Sequence, residues 1–186
     1  MAIQLSFLEP KQVSSTPVRK ADPAGGTRQD DEYNTPKWLW QLGLDVFGLD
    51  EYDIDPATNE TSTVPACKKF MLLNDGLSRS WKSPKREMTR GWLNPPFSKN
   101  SEFVEKLCSE YQKGGLEMIV LDKHDHRVGW WWELEAAAAG LCLIRGYVQF
   151  EGHSQSYRFP VSIFYFGPNY EAFERVFKDY GRCVQL

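Results

Sequence analysis

The sequence predicts an α/β protein whose core is one open, mostly parallel sheet with flanking helices. Three observations predict it. Strand-like and helix-like stretches alternate from Tyr33 to Tyr180, the order that winds an open sheet between helices. The run Leu116-Glu117-Met118-Ile119-Val120-Leu121 is almost continuously apolar, as in a strand covered on both faces. Three polar residues, Asp55, Asn94 and Asp122, each stand where an expected strand ends, and ligands of open α/β sheets bind beyond those ends.

Residues 1–30 carry few large apolar side chains after Phe7 and Leu8, with Ser14-Ser15-Thr16-Pro17 and Ala24-Gly25-Gly26-Thr27 among them. This is the composition of a flexible arm, so residues 31–186 are read as a single domain. Thr35-Pro36 has the form of a helix start, Thr as N-cap and Pro at the first helical position. The helix runs from Pro36 to about Phe47, with Trp38, Leu39, Leu42 and Val46 as its apolar residues. Short strands follow at Tyr52 to Asp55 and at Arg90 to Leu93. A helix is expected from Ser98 to Lys113, stopped by Gly114-Gly115. After the Leu116–Leu121 strand comes a helix from Val128 to Ala139. Strands are expected at Leu141 to Ile144, Tyr147 to Phe150 and Val161 to Phe166, and a last helix at Tyr170 to Tyr180.

The net charge is −3, so the chain is not a general polyanion coat, and any nucleic-acid contact needs a local basic patch. Cys67, Cys108, Cys142 and Cys183 show no C-x-x-C spacing, which argues for reduced thiols in the cytoplasm rather than a zinc knuckle or redox pair. No apolar run approaches the length of a membrane span. Neither G-x-G-x-x-G nor a P-loop pattern is present, which removes the usual dinucleotide and ATPase fingerprints. Asp122-Lys123-His124-Asp125-His126-Arg127, with His-x-His plus acids, could in principle hold a metal, but its place after a strand fits the rim of a site better, and no metal is expected.

Asn94-Pro95-Pro96-Phe97 is the sharpest motif. Its chance occurrence in a chain of this size is on the order of one in a thousand. Its residues suit methylation of an exocyclic amine, whose lone pair is delocalised into a ring. The Asn94 side-chain oxygen and the Pro95 carbonyl can accept the two amine protons and localise that pair. Consecutive prolines hold the carbonyls in place. Asn94 is neutral, so it polarises and positions, and Phe97 offers a face for a base to stack on. A rigid strand-to-helix turn with a packed Phe would use the same residues without the chemistry.

Two further segments are candidates for a cofactor. Asp55-Pro56 ends a strand, where a carboxylate can accept hydrogen bonds from cofactor hydroxyls or cap the next turn. Thr35-Pro36-x-Trp38 could wrap a cofactor or be a capped helix with a core Trp. Between Arg79 and Arg90, Arg79, Lys82, Lys85, Arg86 and Arg90 oppose a single Glu87, a basic stretch that could neutralise phosphates just before the motif.

Together, Thr35-Pro36-Lys37-Trp38-Leu39, Ile54-Asp55-Pro56-Ala57, Asn74-Asp75-Gly76-Leu77 with Trp81, Trp92 to Ser98, and Trp130-Trp131-Trp132 resemble the phage-type Dam-like DNA N6-adenine methyltransferase family. The resemblance runs from about Tyr33 to Gly167. It implies a Rossmann-like methyltransferase fold, S-adenosylmethionine as cofactor, and double-stranded DNA as partner. Adenine would be flipped out of the duplex. On this resemblance Asn94, Pro95, Pro96 and Phe97 are the catalytic and base-binding positions and Asp55 is a cofactor contact. The residues themselves add Thr35, Pro36, Trp38, Pro56 and Asn94 as expected cofactor contacts, and Arg79, Lys82, Lys85, Arg86 and Arg90 as expected DNA contacts. A phage-encoded or bacterial cytoplasmic location follows. The glycine-rich Phe-x-Gly-x-Gly loop of broader methyltransferases is missing. Two rivals stay open: methylation of a protein glutamine or RNA base, and a DNA-binding module without catalysis. The oligomeric state is open between monomer and weak dimer.

Overall fold

The computed structural model describes residues 33–71, 75–151 and 158–186. The arm expected over residues 1–30, and Asn74 of the Asp75-Gly76 segment, lie outside the described residues. Helix α1 spans Lys37–Phe47, buries Leu39, Leu42, Leu44 and Val46, and closes on Gly48 in the left-handed region at φ 65°. The chain continues through β1 (Tyr52–Asp55), β2 (Ala66–Lys69) and β3 (Thr89–Leu93). A 3-10 turn at Phe97–Lys99 leads into α2 (Asn100–Gln112), followed by β4 (Leu116–Lys123), α3 (Gly129–Ala137) and β5 (Gly140–Ile144). A small hairpin, β6 (Val148–Gln149) with β7 (Arg158–Phe159), precedes β8 (Val161–Phe166), α4 (Tyr170–Phe177) and β9 (Gly181–Gln185).

The main sheet has seven strands in the order β2-β1-β3-β4-β8-β5-β9. β2-β1, β1-β3 and β3-β4 are parallel. β4-β8, β8-β5 and β5-β9 are antiparallel. The sheet is therefore half parallel and half antiparallel, a correction to the mostly parallel sheet expected. The reason lies in the connections. β5 reaches β8 through the β6–β7 hairpin rather than through a crossover helix, and a parallel neighbour would need such a crossover. All six residues of β8 are buried. A continuous apolar run thus reports cover on both faces and is silent about strand direction.

Alternation along β4 splits its side chains between two cores. Ile119 and Leu121 join α1 and α4 residues such as Leu39 and Phe173. Met118 and Val120 join Phe103, Leu107 and Leu134 of α2 and α3. Helices thus cover both faces. At Gly91 a Cβ would meet Met118 Sδ at 2.5 Å and Ile54 Cγ2 at 2.8 Å, so a side chain there would force β1 and β4 side chains away from β3. No helix among the described residues is long and apolar enough to cross a membrane.

Candidate active site

Because β1, β3 and β4 run in one direction, their carboxyl ends share one edge. A cavity of about 970 Å³ opens there, walled by Tyr33, Thr35, Asp55, Pro56, Gly76 and the loop Asn94 to Phe97, among others. Two of the three strand-end residues expected to converge do so. Asp122 is buried behind the loop instead, bonded to Asn100.

Asn94 donates through Nδ2 to the Tyr33 carbonyl at 3.1 Å and to the Thr35 hydroxyl at 3.3 Å. These acceptors fix which way the amide faces. Both of its N–H groups are used, and the amide oxygen is left over at a wall of the cavity. Thr35 was expected to cap α1. The structure puts Pro36 at the cap, without a side-chain hydrogen bond, and gives the Thr35 hydroxyl to Asn94. Tyr33 carried no sequence signal for this role, since its contribution is a backbone carbonyl. Pro95 is buried and Pro96 half-buried, with the Pro96 carbonyl accepting from Lys99 N–H at 2.9 Å.

Phe97 packs against Tyr33, ring centroids 5.3 Å apart. The Lys123 ammonium stands 3.4 Å from the centroid of the same ring, within cation–π range. Lys123 falls in the segment 122–127 read as the rim of a site, but its place over Phe97 carried no sequence signal, because it is the last residue of β4 and distant from the motif.

Asp55 is fully buried, and burial lifts its carboxyl to about 6 against the opposing bond from Ala57 N–H at 3.1 Å. Asp55, Glu60, Asp75 and Glu102 line the cavity with Lys99 as the opposing base. That balance favours a cationic ligand and disfavours a polyphosphate. Trp38 stands apart: it is 43% exposed and stacks on Tyr180 at 5.8 Å, so the structure does not bring it to the cavity. Pro36 is buried beside Thr35 and does not line the cavity.

Lys82, Arg86 and Arg90 of the basic stretch lie at the opposite edge, while Arg79 follows Gly76 and Leu77, which line the cavity. Lys82 Nζ bonds the Lys113 carbonyl at 2.8 Å, at the end of α2. Arg86 pairs with Asp53 at 3.0 Å, and Arg90 with Glu117 at 3.7 Å. Lys85 and Arg79 are exposed. Arg90 enters β3 and Asn94 leaves it. Strands rise about 3.3 Å per residue, so nearness in sequence becomes separation across the sheet. The expectation that this stretch borders the motif is thereby corrected. Positive residues at the motif's own edge are Lys99, Lys123, Arg127 and Arg145, with His124 among them in the chain. Registers place Asp122 and Leu143 on either side of Ser162 in β8, so His124 and Arg145, each two residues further on, leave the sheet at the same edge with β8 between them. Arg145 and Tyr147 are exposed, Tyr147 by 70%.

A family model described as DNA N-6-adenine-methyltransferase (Dam) matches residues 25–161, well over half of the chain. The chain is also similar to a DNA N-6-adenine-methyltransferase of Escherichia phage T1, 28% identical over 119 residues. That alignment covers 60% of this chain and 48% of the phage protein, so the chain spans about half the length of the relative it matches.

Proposed function

The chain belongs to the DNA N-6-adenine-methyltransferase (Dam) family, and from that premise we propose that it methylates the N6 amine of an adenine flipped out of double-stranded DNA, with S-adenosylmethionine as donor. The observation that carries this reading is the Asn94 amide, whose N–H groups are both engaged by Tyr33 and Thr35. Its oxygen, with the Pro95 carbonyl, is then free to accept the two N6 protons and concentrate the lone pair on nitrogen. Phe97 provides the stacking ring for the extruded base.

The cavity fits the donor in size and charge. Ligand pockets run to roughly 1,000 Å³, and the acidic walls suit a molecule with an ammonium and a sulfonium. Asp55 would accept from its hydroxyls. When bound, the donor supplies an electrophilic methyl: the N6–CH₃ bond forms as the S–CH₃ bond breaks, the sulfonium leaves as a neutral thioether, and N6 gives up a proton. Asn94 and the loop contribute by holding the amine in line. Duplex DNA would approach the edge bearing Lys99, Lys123, Arg127 and Arg145. The parallel half of the sheet, with Asp55 and Asn94 at its strand ends, supports a Rossmann-like methyltransferase fold to which an antiparallel half is joined.

The test is transfer of labelled methyl from S-adenosylmethionine to unmethylated duplex DNA by the native chain and by Asn94→Ala. The expected result is labelled N6-methyladenine with the native chain and a loss of at least about a hundredfold in the variant. Label on protein or RNA instead of DNA would overturn the substrate, and no binding of S-adenosylmethionine would overturn the reaction.

A further inference from the structure

Asp122 is 1% exposed and Asn100 4%. Asp122 Oδ1 accepts from the Asn100 amide at 2.8 Å and from the Lys123 backbone N–H at 2.7 Å. The other two oxygens of this pair, Asp122 Oδ2 and Asn100 Oδ1, are both buried and have no hydrogen-bond partner among the described residues. A buried carboxylate beside a buried carbonyl oxygen, with no donor for either, is an unfavourable arrangement. One proton on Asp122 Oδ2 supplies the donor that the site is short of.

The surroundings agree with a neutral acid. Burial raises the Asp122 carboxyl to about 7, against the lowering effects of the Asn100 and Lys123 bonds and the Lys123 charge. Lys123, on its own strand, is the charged neighbour. β8 faces Asp122 with Ser162, whose hydroxyl meets His124 Nδ1 at 2.9 Å and accepts from Trp131 Nε1 of α3 at 3.4 Å. α2 presents Asn100.

The two bonded partners both lead to the candidate active site. Asn100 is the first residue of α2, directly after the turn that carries Phe97. The Lys123 side chain covers the Phe97 ring. We propose that Asp122 is a positioning residue of the adenine pocket, a neutral acid that fixes the head of α2 and the Lys123 backbone and thereby the loop between Asn94 and Phe97. This rests on the methyltransferase reading above.

The test compares the native chain with Asp122→Asn and Asp122→Ala, in methyl transfer to duplex DNA and in thermal unfolding, from about pH 5.5 to about 9. Asparagine copies the neutral acid: an acceptor on one side and a donor on the other. Native activity should fall by up to about tenfold per pH unit above about 7 as the acid ionises. Asp122→Asn should stay within about threefold of the native maximum and lose that alkaline fall, while Asp122→Ala should lose more than about tenfold throughout. The native melting temperature should decline as pH rises toward 7, and Asp122→Asn should lack that share of the decline. If the Asp122 variants do not fold, the infrared band of a protonated carboxylic acid in Asp55→Asn, which removes the other buried raised acid, present at pH 6 and gone at about pH 9, gives the answer. An alkaline fall that survives in Asp122→Asn, an Asn variant as poor as the Ala variant, or absence of the acid band would overturn the role of Asp122. Absence of transfer by the native chain at every pH would instead overturn the methyltransferase reading on which it stands.

Discussion

The Thr35 hydroxyl accepts a hydrogen bond from the Asn94 amide at 3.3 Å, between residues 59 apart in sequence. The bond ties the segment ahead of α1 to the loop after β3 and helps hold the Asn94 amide in one orientation.

Thr35→Val keeps the branched shape and removes the acceptor. Losing a hydrogen bond of this kind costs about 1–2 kcal/mol, so kcat should fall roughly 5- to 30-fold. Affinity for S-adenosylmethionine should be unchanged in calorimetry. If cofactor affinity drops and kcat holds, Thr35 serves the cofactor instead.

Phe97 should matter to DNA and little to the cofactor. Base stacking on an aromatic side chain is worth about 1–3 kcal/mol. Phe97→Ala is therefore expected to lower kcat/KM for DNA by roughly 5- to 150-fold. An equal loss in S-adenosylmethionine affinity would mean that the ring shapes the cofactor cavity instead. Lys123 now stands 3.4 Å from the ring centroid, so a base arriving on that face has to displace the ammonium.

The two arginine-bearing edges are separable by salt. Each phosphate contact contributes about 0.9 to the slope of log K against log salt. Arg145→Ala should reduce that slope by about one, whereas Arg86→Ala should leave it unchanged, since Arg86 pairs with Asp53 at the far edge. The reverse pattern in DNA titrations at several salt concentrations would move the DNA to the other side of the sheet.

Asp55 predicts a pH effect of definite sign. Its carboxyl lies at about 6 in the folded chain against an ordinary 3.8, so between these values the folded state holds a proton that the unfolded state has lost. The stabilisation is complete below about pH 4 and is lost as pH rises through about 6, by up to about 3 kcal/mol. Asp122 adds a similar trend, so the readout is native stability relative to Asp55→Asn in urea unfolding, which should fall across that window. A constant difference would sink the assignment.

Much of this site could be read before the structure was known, and the reasons are local. Tyr52 to Asp55 alternates apolar with acidic residues and is followed by a proline, so both its type and its limit were legible. Asn94 to Phe97 is constrained residue by residue. The rest depended on partners. β2 is mostly exposed and β9 largely so, and neither carries an apolar pattern, because edge strands are defined by the neighbour they pair with. Thr35 has the look of a helix cap, and only the tertiary fold brings Asn94 to compete for its hydroxyl. Arg86 and Arg90 adjoin the motif in sequence, but a strand intervenes and sends them to the other edge.

Among the described residues, β4 with β8 is the one pairing that joins the parallel half of the sheet to the antiparallel half. It is a seam. Its six registered pairs run from Met118 with Phe166 to Lys123 with Val161, under cover from both cores. Backbone amides there are expected to exchange with solvent only through global unfolding. A break anywhere along it would separate the half that holds Asp55 and Asn94 from the half that holds Arg145 in a single event.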